Sequence, residues 1–508
     1  MRQLLLGIDS GTQSTKVLVV DANDGKVLAS ATQEYELLSD LPPGAKEQHP
    51  HTWREASASG IRRALRQARA VAAEVKAIGV SGQQHGFVAL DKEGEVIRAA
   101  KLWCDTSTAP ECEEIMAQLG GLKKTIRAVG NAILPGFTAS KILWLKKHEP
   151  KNFARLATVL LPHDYLNFWL TGEKVMEYGD ASGTALLDVR KRKWSETVLR
   201  AIDPELEAAL PPLIRSDRQA GTLQISAAKA LDLIPGILVS AGGGDNMMGA
   251  IGTGNTRAGV ITASFGTSGT IYACAEKPVV DPEGEIAAFC DSTNRWLPLL
   301  CTMNVTVATE MVREDFGWSH EKFAAESARV PPGANGLLLL PYFEGERTPN
   351  VPEGTGVWFG VNKRTFEAAH FARAAMEGVT LGMNYGLRRL ATLGVKPAQI
   401  RATGGGAKSK VWRQIIADIF DTEVVTLKVS EGAAYGAALQ ALWCWRLGQG
   451  EKIKISEITD KFVELNDTET AQPDRRNVEV YRELQGLQDE ISRGLRSSFG
   501  KHRQFVLR

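Results

Sequence analysis

The chain has 508 residues, is 44% hydrophobic and 23% charged, and sets 60 basic residues against 59 acidic ones for a formal charge of +1. That length exceeds one ordinary hydrophobic core and predicts at least two large domains. The charge balance, with no long basic run, excludes a nucleic-acid-binding arm or an anionic-membrane surface. The opening M-R-Q-L-L-L-G-I-D is too short an apolar stretch for a signal peptide and is broken by Asp9. No run reaches the roughly eighteen apolar residues of a membrane-spanning helix. The six cysteines are scattered without C-x-x-C spacing, which predicts reduced thiols and a cytoplasmic location.

In chain order, residues 4–9 form an apolar run ending in a carboxylate, followed by Gly11, Thr12, Gln13, Ser14 and Thr15 and a second apolar run at 17–20. The D-A-N-D-G turn at 21–25 leads to a third strand at 26–33. The small-residue tip at Gly11–Thr15 reads either as a phosphate cradle of backbone N–H groups and hydroxyls or as a plain hairpin end. Residues 51–70 have the apolar spacing of an amphipathic helix. A strand at 75–81 runs into G-Q-Q-H-G, and a short strand is expected at 102–105, L-W-C-D. Gln84, His85, Trp103 and Asp105 at these ends are the residue types of a sugar pocket, with an indole to cover C–H groups and polar groups to satisfy hydroxyls. Singly, Trp103 reads equally as core and His85 as a bonded structural histidine.

Helices follow at 137–148 and 163–170, with a strand at 158–162 between them and a small-residue loop at 180–184. An apolar strand at 237–239 opens A-G-G-G-D-N-M-M-G at 241–249. Asp245 is placed there either as an acid–base group or as the cap of the helix that begins near Met247; both readings stand on these residues alone. A second strand–turn–strand follows at 260–273 with Gly266, Thr267, Ser268 and Gly269 at its tip. It echoes the first and points to a duplicated domain with a boundary at 254–259. Beyond lie the loop 344–349, a long helix at 365–390, a strand at 400–403, the turn G-G-G-A-K-S at 404–409, a helix at 411–420 and an alanine-rich helix at 431–447. The tail 501–508 is expected to fray.

The G-G-G-A-K-S turn is not a P-loop, because Ala407 stands before the lysine and Ala402 in the earlier glycine slot. A dinucleotide fingerprint fails as well, since Met247 occupies the last glycine slot of the pattern opening at Gly242. There is no H-E-x-x-H, no G-x-S-x-G and no His/Cys cluster of metal-ligand type.

Taken in order, G-I-D-S-G-T, G-G-G-D-N, S-F-G-T-S-G and G-G-G-A-K-S resemble the actin/hexokinase-like ATPase fold. Two longer segments, G-F-T-A-S-K-I-L-W-L-K-K-H at 136–148 and the stretch from G-V-W-F-G-V to M-E-G at 356–378, resemble the signatures of the FGGY carbohydrate kinase family. The likeness runs from residue 6 to about 445. It implies an α/β chain of two ribonuclease-H-like domains, 1–255 for sugar and 256–508 for ATP, with a cleft between them that closes on substrate. It also implies an ATP- and Mg²⁺-dependent sugar phosphotransferase, with a homodimer common in the family. By the same resemblance Asp245 is the catalytic base and Asp9 the carboxylate serving Mg²⁺. Gln84, His85, Trp103, Asp105 and Asn246 would surround the sugar. Thr12, Gly266 and Thr267 would hold phosphate, with Gly405, Gly406 and Ala407 against the nucleoside and Lys410 at its border.

Within the family, G-Q-Q-H-G, L-P-H-D-Y-L, G-G-G-D-N and G-E-R-T-P most resemble bacterial members that phosphorylate xylulose. No Arg or Lys lies in 81–90 to pair with an anionic sugar, so a neutral ketose is expected, D-xylulose first, phosphorylated at O5. Gln84 departs from the Met that many such members carry. The alternatives are L-ribulose, L-fuculose, erythritol or glycerol as substrate, and, from another class, an actin- or chaperone-like ATPase switch.

Overall fold

The computed structural model describes residues 2–429 and 432–506. They fall into two compact units. The first comprises residues 1–257, 274–298 and 431–463, and the second 258–273, 299–430 and 464–508. No helix among the described residues is long and apolar enough to cross a membrane.

The first unit is built on the strands β1 (Leu4–Ser10), β2 (Ser14–Asp21), β3 (Val27–Glu34), β4 (Val75–Gly82), β5 (Gln219–Thr222) and β6 (Leu238–Ser240), in the spatial order β5-β6-β4-β1-β2-β3. β1 and β4 are parallel and covered on both faces, so they read as near-continuous apolar runs. β3 is the far edge and alternates exposed and buried residues, as a half-solvated strand must. The helix Pro50–Gln67 starts with proline at its first position and buries Trp53, Ile61 and Leu65 with Leu4, Leu6, Ile8, Val17 and Val19. On β1 and β4 lies the late helix Gly432–Gly448, which approaches so closely that a Cβ at Gly7 or Gly79 would overlap the carbonyls of Ala434 or Ala437.

The second unit repeats the plan with β7 (Val260–Phe265), β8 (Gly269–Ala273), β9 (Trp296–Thr302, of which 299–302 belong to this unit), β10 (Gln399–Thr403), β11 (Val424–Leu427) and β12 (Leu465–Ala471). Their order is β9-β8-β7-β10-β11-β12. β7 pairs antiparallel with β8 and parallel with β10, just as β1 pairs with β2 and β4. The expected duplication is thus a duplication of sheet topology.

Several expectations need correction. The two-way split at 255/256 lies close to the crossing at 257/258, but segments 274–298 and 431–463 belong to the first unit. The reason is packing: Ala288 and Cys290 are buried with Leu161, Met176 and Ala181, and Asn131 clamps the Ala288 backbone through both its amide atoms. Residues 102–105 are a turn after the short strand Ala100–Lys101, because Asp105 binds the Ser107 N–H and closes a local loop. The stretch 180–184 is helical, spanning the end of Tyr178–Ala181 and the 3₁₀ turn Ser182–Thr184, with Glu177 capping its start. Residues 501–506 continue the 32-residue helix Arg475–Val506 rather than fraying; 507–508 lie outside the described residues, as does Glu431, the first residue of the expected alanine-rich helix.

Candidate active site

In the first unit the ends of β1 and β4 and the short strand Gly243–Gly244 lie side by side, with Asp9 in register with Ser81 and Ser81 with Gly243. Asp9 accepts a hydrogen bond from Ser81 Oγ at 2.9 Å. Burial raises its pKa, against the opposing pull of that hydroxyl and of Lys16. Asp245 is the first residue of the helix Asp245–Gly252, one past the cap position Gly244. Its Oδ1 accepts from the Asn246 N–H at 2.7 Å and from Asn246 Nδ2 at 3.1 Å, leaving Oδ2 outside both bonds. Burial, with the nearby Asp9 carboxylate next, pushes its pKa up to about 7, the Asn246 bonds opposing and Asp180 adding to the rise. A carboxylate titrating near neutrality is suited to accept a proton.

Asn246 also donates to Gln84 Oε1 at 2.8 Å, which ties the loop after β4 to the carboxylate. His85 takes a left-handed backbone, φ +67°, and its ring packs edge-on against Phe137 at 4.8 Å. Its carbonyl is held by Thr138 Oγ1 at 3.1 Å and by the buried Lys141 ammonium at 3.0 Å. Thr138 and Lys141 lie in the G-F-T-A-S-K segment, so that motif acts by shaping the Gln84–His85 loop. Trp103 is half-buried, and its indole N–H donates to Thr12 Oγ1 at 2.9 Å, which in turn donates to Gln83 Oε1 at 3.1 Å. Thr12, expected at phosphate, is therefore joined to Trp103, expected at sugar. Asp105 has a different job from the one expected. Its carboxylate is used by the Lys46 N–H, the Ser107 N–H and hydroxyl, and the buried Lys101 ammonium at 3.1 Å. It anchors the turn and has no acceptor left for a sugar hydroxyl.

Beneath Gly244 lies a buried group that sequence reasoning missed. His163 Nδ1 meets Asp180 Oδ2 at 2.6 Å, and its Nε2 lies 3.0 Å from Asp164 Oδ1, all three side chains being fully enclosed. Burial alone would lower the imidazole pKa, but Asp164 and Asp180 overcome it and push it up to about 9. The pairing of His163 with Asp180, 17 residues on, has no local signature; the hints were His163 and Asp164 in L-P-H-D-Y-L and Asp180 at the head of a small-residue loop that could line a cleft.

In the second unit the tip of the β7–β8 hairpin presents Gly266 and an exposed Thr267, whose carbonyls accept from the Thr306 and Val305 N–H groups at 2.9 and 3.0 Å. Gly404, at φ +85°, carries the chain from β10 over Phe265, and Gly406 and Ala407 are buried. Gly405 is exposed, and a Cβ there would meet nothing within 4 Å. Lys410 is exposed in the first turn of the helix Lys410–Phe420, capped by Ser409.

Models of the N-terminal and C-terminal domains of the FGGY family of carbohydrate kinases match residues 4–252 and 261–445. A curated xylulose kinase of Haemophilus influenzae is 41% identical over 94% of this chain and 97% of its own length. One of Bacillus subtilis is 34% identical over 96% of each chain. The crystal structure of a xylulose kinase from Rhodospirillum rubrum superposes with a TM-score of 0.89 at 27% identity, covering 98% of this chain and all of the other. Two domain models in sequence order, a repeated ribonuclease-H-like sheet and near-full-length relatives converge, and the chain belongs to the FGGY family of carbohydrate kinases.

Proposed function

We propose that this chain transfers the γ-phosphoryl group of ATP to O5 of D-xylulose, giving D-xylulose 5-phosphate and ADP, with Asp245 as general base. The reading is carried by the half-buried Asp245 carboxyl, raised to about 7 and fixed beside the Gln84–Asn246 amide pair. The 41%-identical relative named as a xylulose kinase supports the choice of sugar, as does the absence of Arg and Lys from 81–90.

In the proposed step the O5–H proton passes to Asp245 as the O5–phosphorus bond forms and the bond to the β-phosphate oxygen breaks. A sugar hydroxyl is far too weak an acid to be ionised beforehand, so Asp245 orients the oxygen and takes its proton late. Gln84, His85 and Asn246 hold the sugar, and Trp103 covers one side. The second unit holds the nucleotide: Gly266 and Thr267 at phosphate, Gly405 and its neighbours against the base, Lys410 at the rim. Asp9 fits Mg²⁺. It offers a hard oxygen, only Oδ1 of which is taken by Ser81, and its charge beside Asp245 is one a divalent cation relieves. Bound there, Mg²⁺ supplies charge neutralisation for the phosphate oxygens.

A coupled ADP-release assay over D-xylulose, L-ribulose, L-fuculose, gluconate, erythritol and glycerol tests the reading. D-Xylulose is expected to give the highest kcat/KM; another sugar in first place would move the substrate, and turnover without sugar would favour an ATPase switch.

A further inference from the structure

Gln84 and Asp180 each leave one polar atom stranded. Gln84 is 4% exposed and gives its Oε1 to Asn246, yet its Nε2 is enclosed with no hydrogen-bond partner. Asp180 is fully enclosed and gives Oδ2 to His163, yet its Oδ1 has no partner either. One is a donor without an acceptor and the other an acceptor without a donor. Both sit over the same glycine: a Cβ at Gly244 would lie 3.0 Å from Gln84 Cδ and 3.1 Å from Asp180 Oδ1. Only a residue without a side chain leaves the two room to meet.

Resting on the reading of Gln84 and Asn246 as sugar-binding residues, we propose that Asp180 is a positioning residue. It accepts from Gln84 Nε2 when sugar binds and so fixes which end of each amide faces the substrate. The logic is one of polarity. A carboxylate only accepts, so the amide turned toward it must present its NH₂. Gln84 then turns its oxygen to Asn246, which must answer with Nδ2, the atom that also donates to Asp245 Oδ1. The donors of Asn246 are thereby used within the protein, and its Oδ1 is left to accept from a sugar hydroxyl. With Gln84 flipped, oxygen would face the Asp180 carboxylate and NH₂ would face NH₂. His163 Nδ1, 2.6 Å from Asp180 Oδ2, draws Asp180 toward the accepting carboxylate form against the burial that raises its pKa. The chain His163–Asp180–Gln84–Asn246–Asp245 thus carries a fixed direction from a buried cation to the proposed base, and it accounts for the glutamine at position 84.

A polarity swap tests this. Gln84→Glu sets carboxylate against carboxylate, and Asp180→Asn lets Gln84 adopt either sense; each is expected to raise the KM for D-xylulose about tenfold while leaving the KM for ATP within about twofold. The double variant restores complementarity, with the new amide NH₂ donating to the new carboxylate, and its KM is expected within about threefold of wild type. A double variant no better than the worse single one overturns the proposal. Should the variants fail to fold, a crystal structure of the wild-type sugar complex decides: a Gln84 Nε2 to Asp180 Oδ1 distance near 3 Å is expected, and one beyond about 4 Å overturns it. A wild-type enzyme inactive on D-xylulose would sink the choice of substrate but leave that distance to be measured in a complex with whichever sugar the panel selects.

Discussion

The two sheets share strand order and strand sense but not chemistry. With Gly11-Thr12 laid on Gly266-Thr267, Asp9 of β1 corresponds to Ser264 of β7, and their parallel neighbours are Ser81 of β4 and Thr403 of β10. One residue further, Gly82, Gln83, Gln84 and His85 correspond to Gly404, Gly405, Gly406 and Ala407. The first unit arms its strand ends with a carboxylate, two amides and an imidazole, whereas the second has Ser264 in place of the carboxylate and strips the other three positions to glycine and alanine. A polyhydroxylated substrate needs directional partners for each hydroxyl, while a flat nucleoside needs bare backbone it can lie against. Duplication supplied the frame, and on the proposed reading the side chains at four strand-end positions divide the labour.

The sharpest way to break this division is to remove the carboxylate proposed as the base, Asp245. Asp245→Asn is expected to lower sugar-dependent ADP release about 1,000-fold or more, with the Kd for a nucleotide analogue unchanged. Near-normal turnover would return Asp245 to a structural part. Because the base must be ionised and its pKa is held at about 7, kcat/KM is expected to fall about tenfold per pH unit below that value. The limb should vanish from the residual activity of the variant. A profile flat down to about pH 5 would assign the proton to another acceptor.

How far the sequence revealed this depends on how local each signal was. Asp9 and Asp245 stand beside glycines at the ends of apolar runs, so backbone and chemistry coincide within a few residues. Asp180 and His163 meet only through the fold, and no spacing encodes that. The interleaving of segments 274–298 and 431–463 was equally silent, because no change of composition marks a crossing from one unit to the other. The helix Arg475–Val506 went unread for a packing reason. Its inward face carries Gln485, Gln488 and Ser492 beside Val478, Tyr481 and Leu484. Gln488 donates to the Leu339 and Gly378 carbonyls and Gln485 accepts from Asn384, so polar residues stand where periodicity looks for apolar ones. Asp105 shows the opposite failure, a polar residue in a promising motif that the local turn had already claimed.

The stripped glycines of the second unit give a smaller, complementary effect. A Cβ at Gly405 would meet nothing within 4 Å, so Gly405→Val is expected to keep the fold and thermal midpoint. If that surface lies against the nucleoside, the KM for ATP should rise about tenfold while the KM for sugar stays within about twofold. A rise in the sugar KM instead would erase the contrast between the units.

The least effect, and the most specific to charge, is on stability. An ionised Asp245 is held against burial and the Asp9 carboxylate, so its folded-state pKa of about 7 stands well above its usual 3.8. As pH climbs between those values the unfolded chain releases a proton that the folded chain keeps, and wild-type stability declines. Asn at this position carries no such charge, so Asp245→Asn should be more stable than wild type by an amount that grows from almost nothing near pH 4 to a plateau above about pH 7. Three pKa units set an upper bound of about 4 kcal/mol, and the partial exposure of the side chain brings the expectation nearer 2 kcal/mol. Thermal midpoints of both proteins at about pH 4, 6 and 8, without nucleotide or Mg²⁺, measure it. A gain equal at all three would trace the effect to packing, whereas a gain that grows with pH would mean that the first unit gives up stability to keep its carboxylate in place, a strain that the glycine-lined ends of the second have no charge to incur.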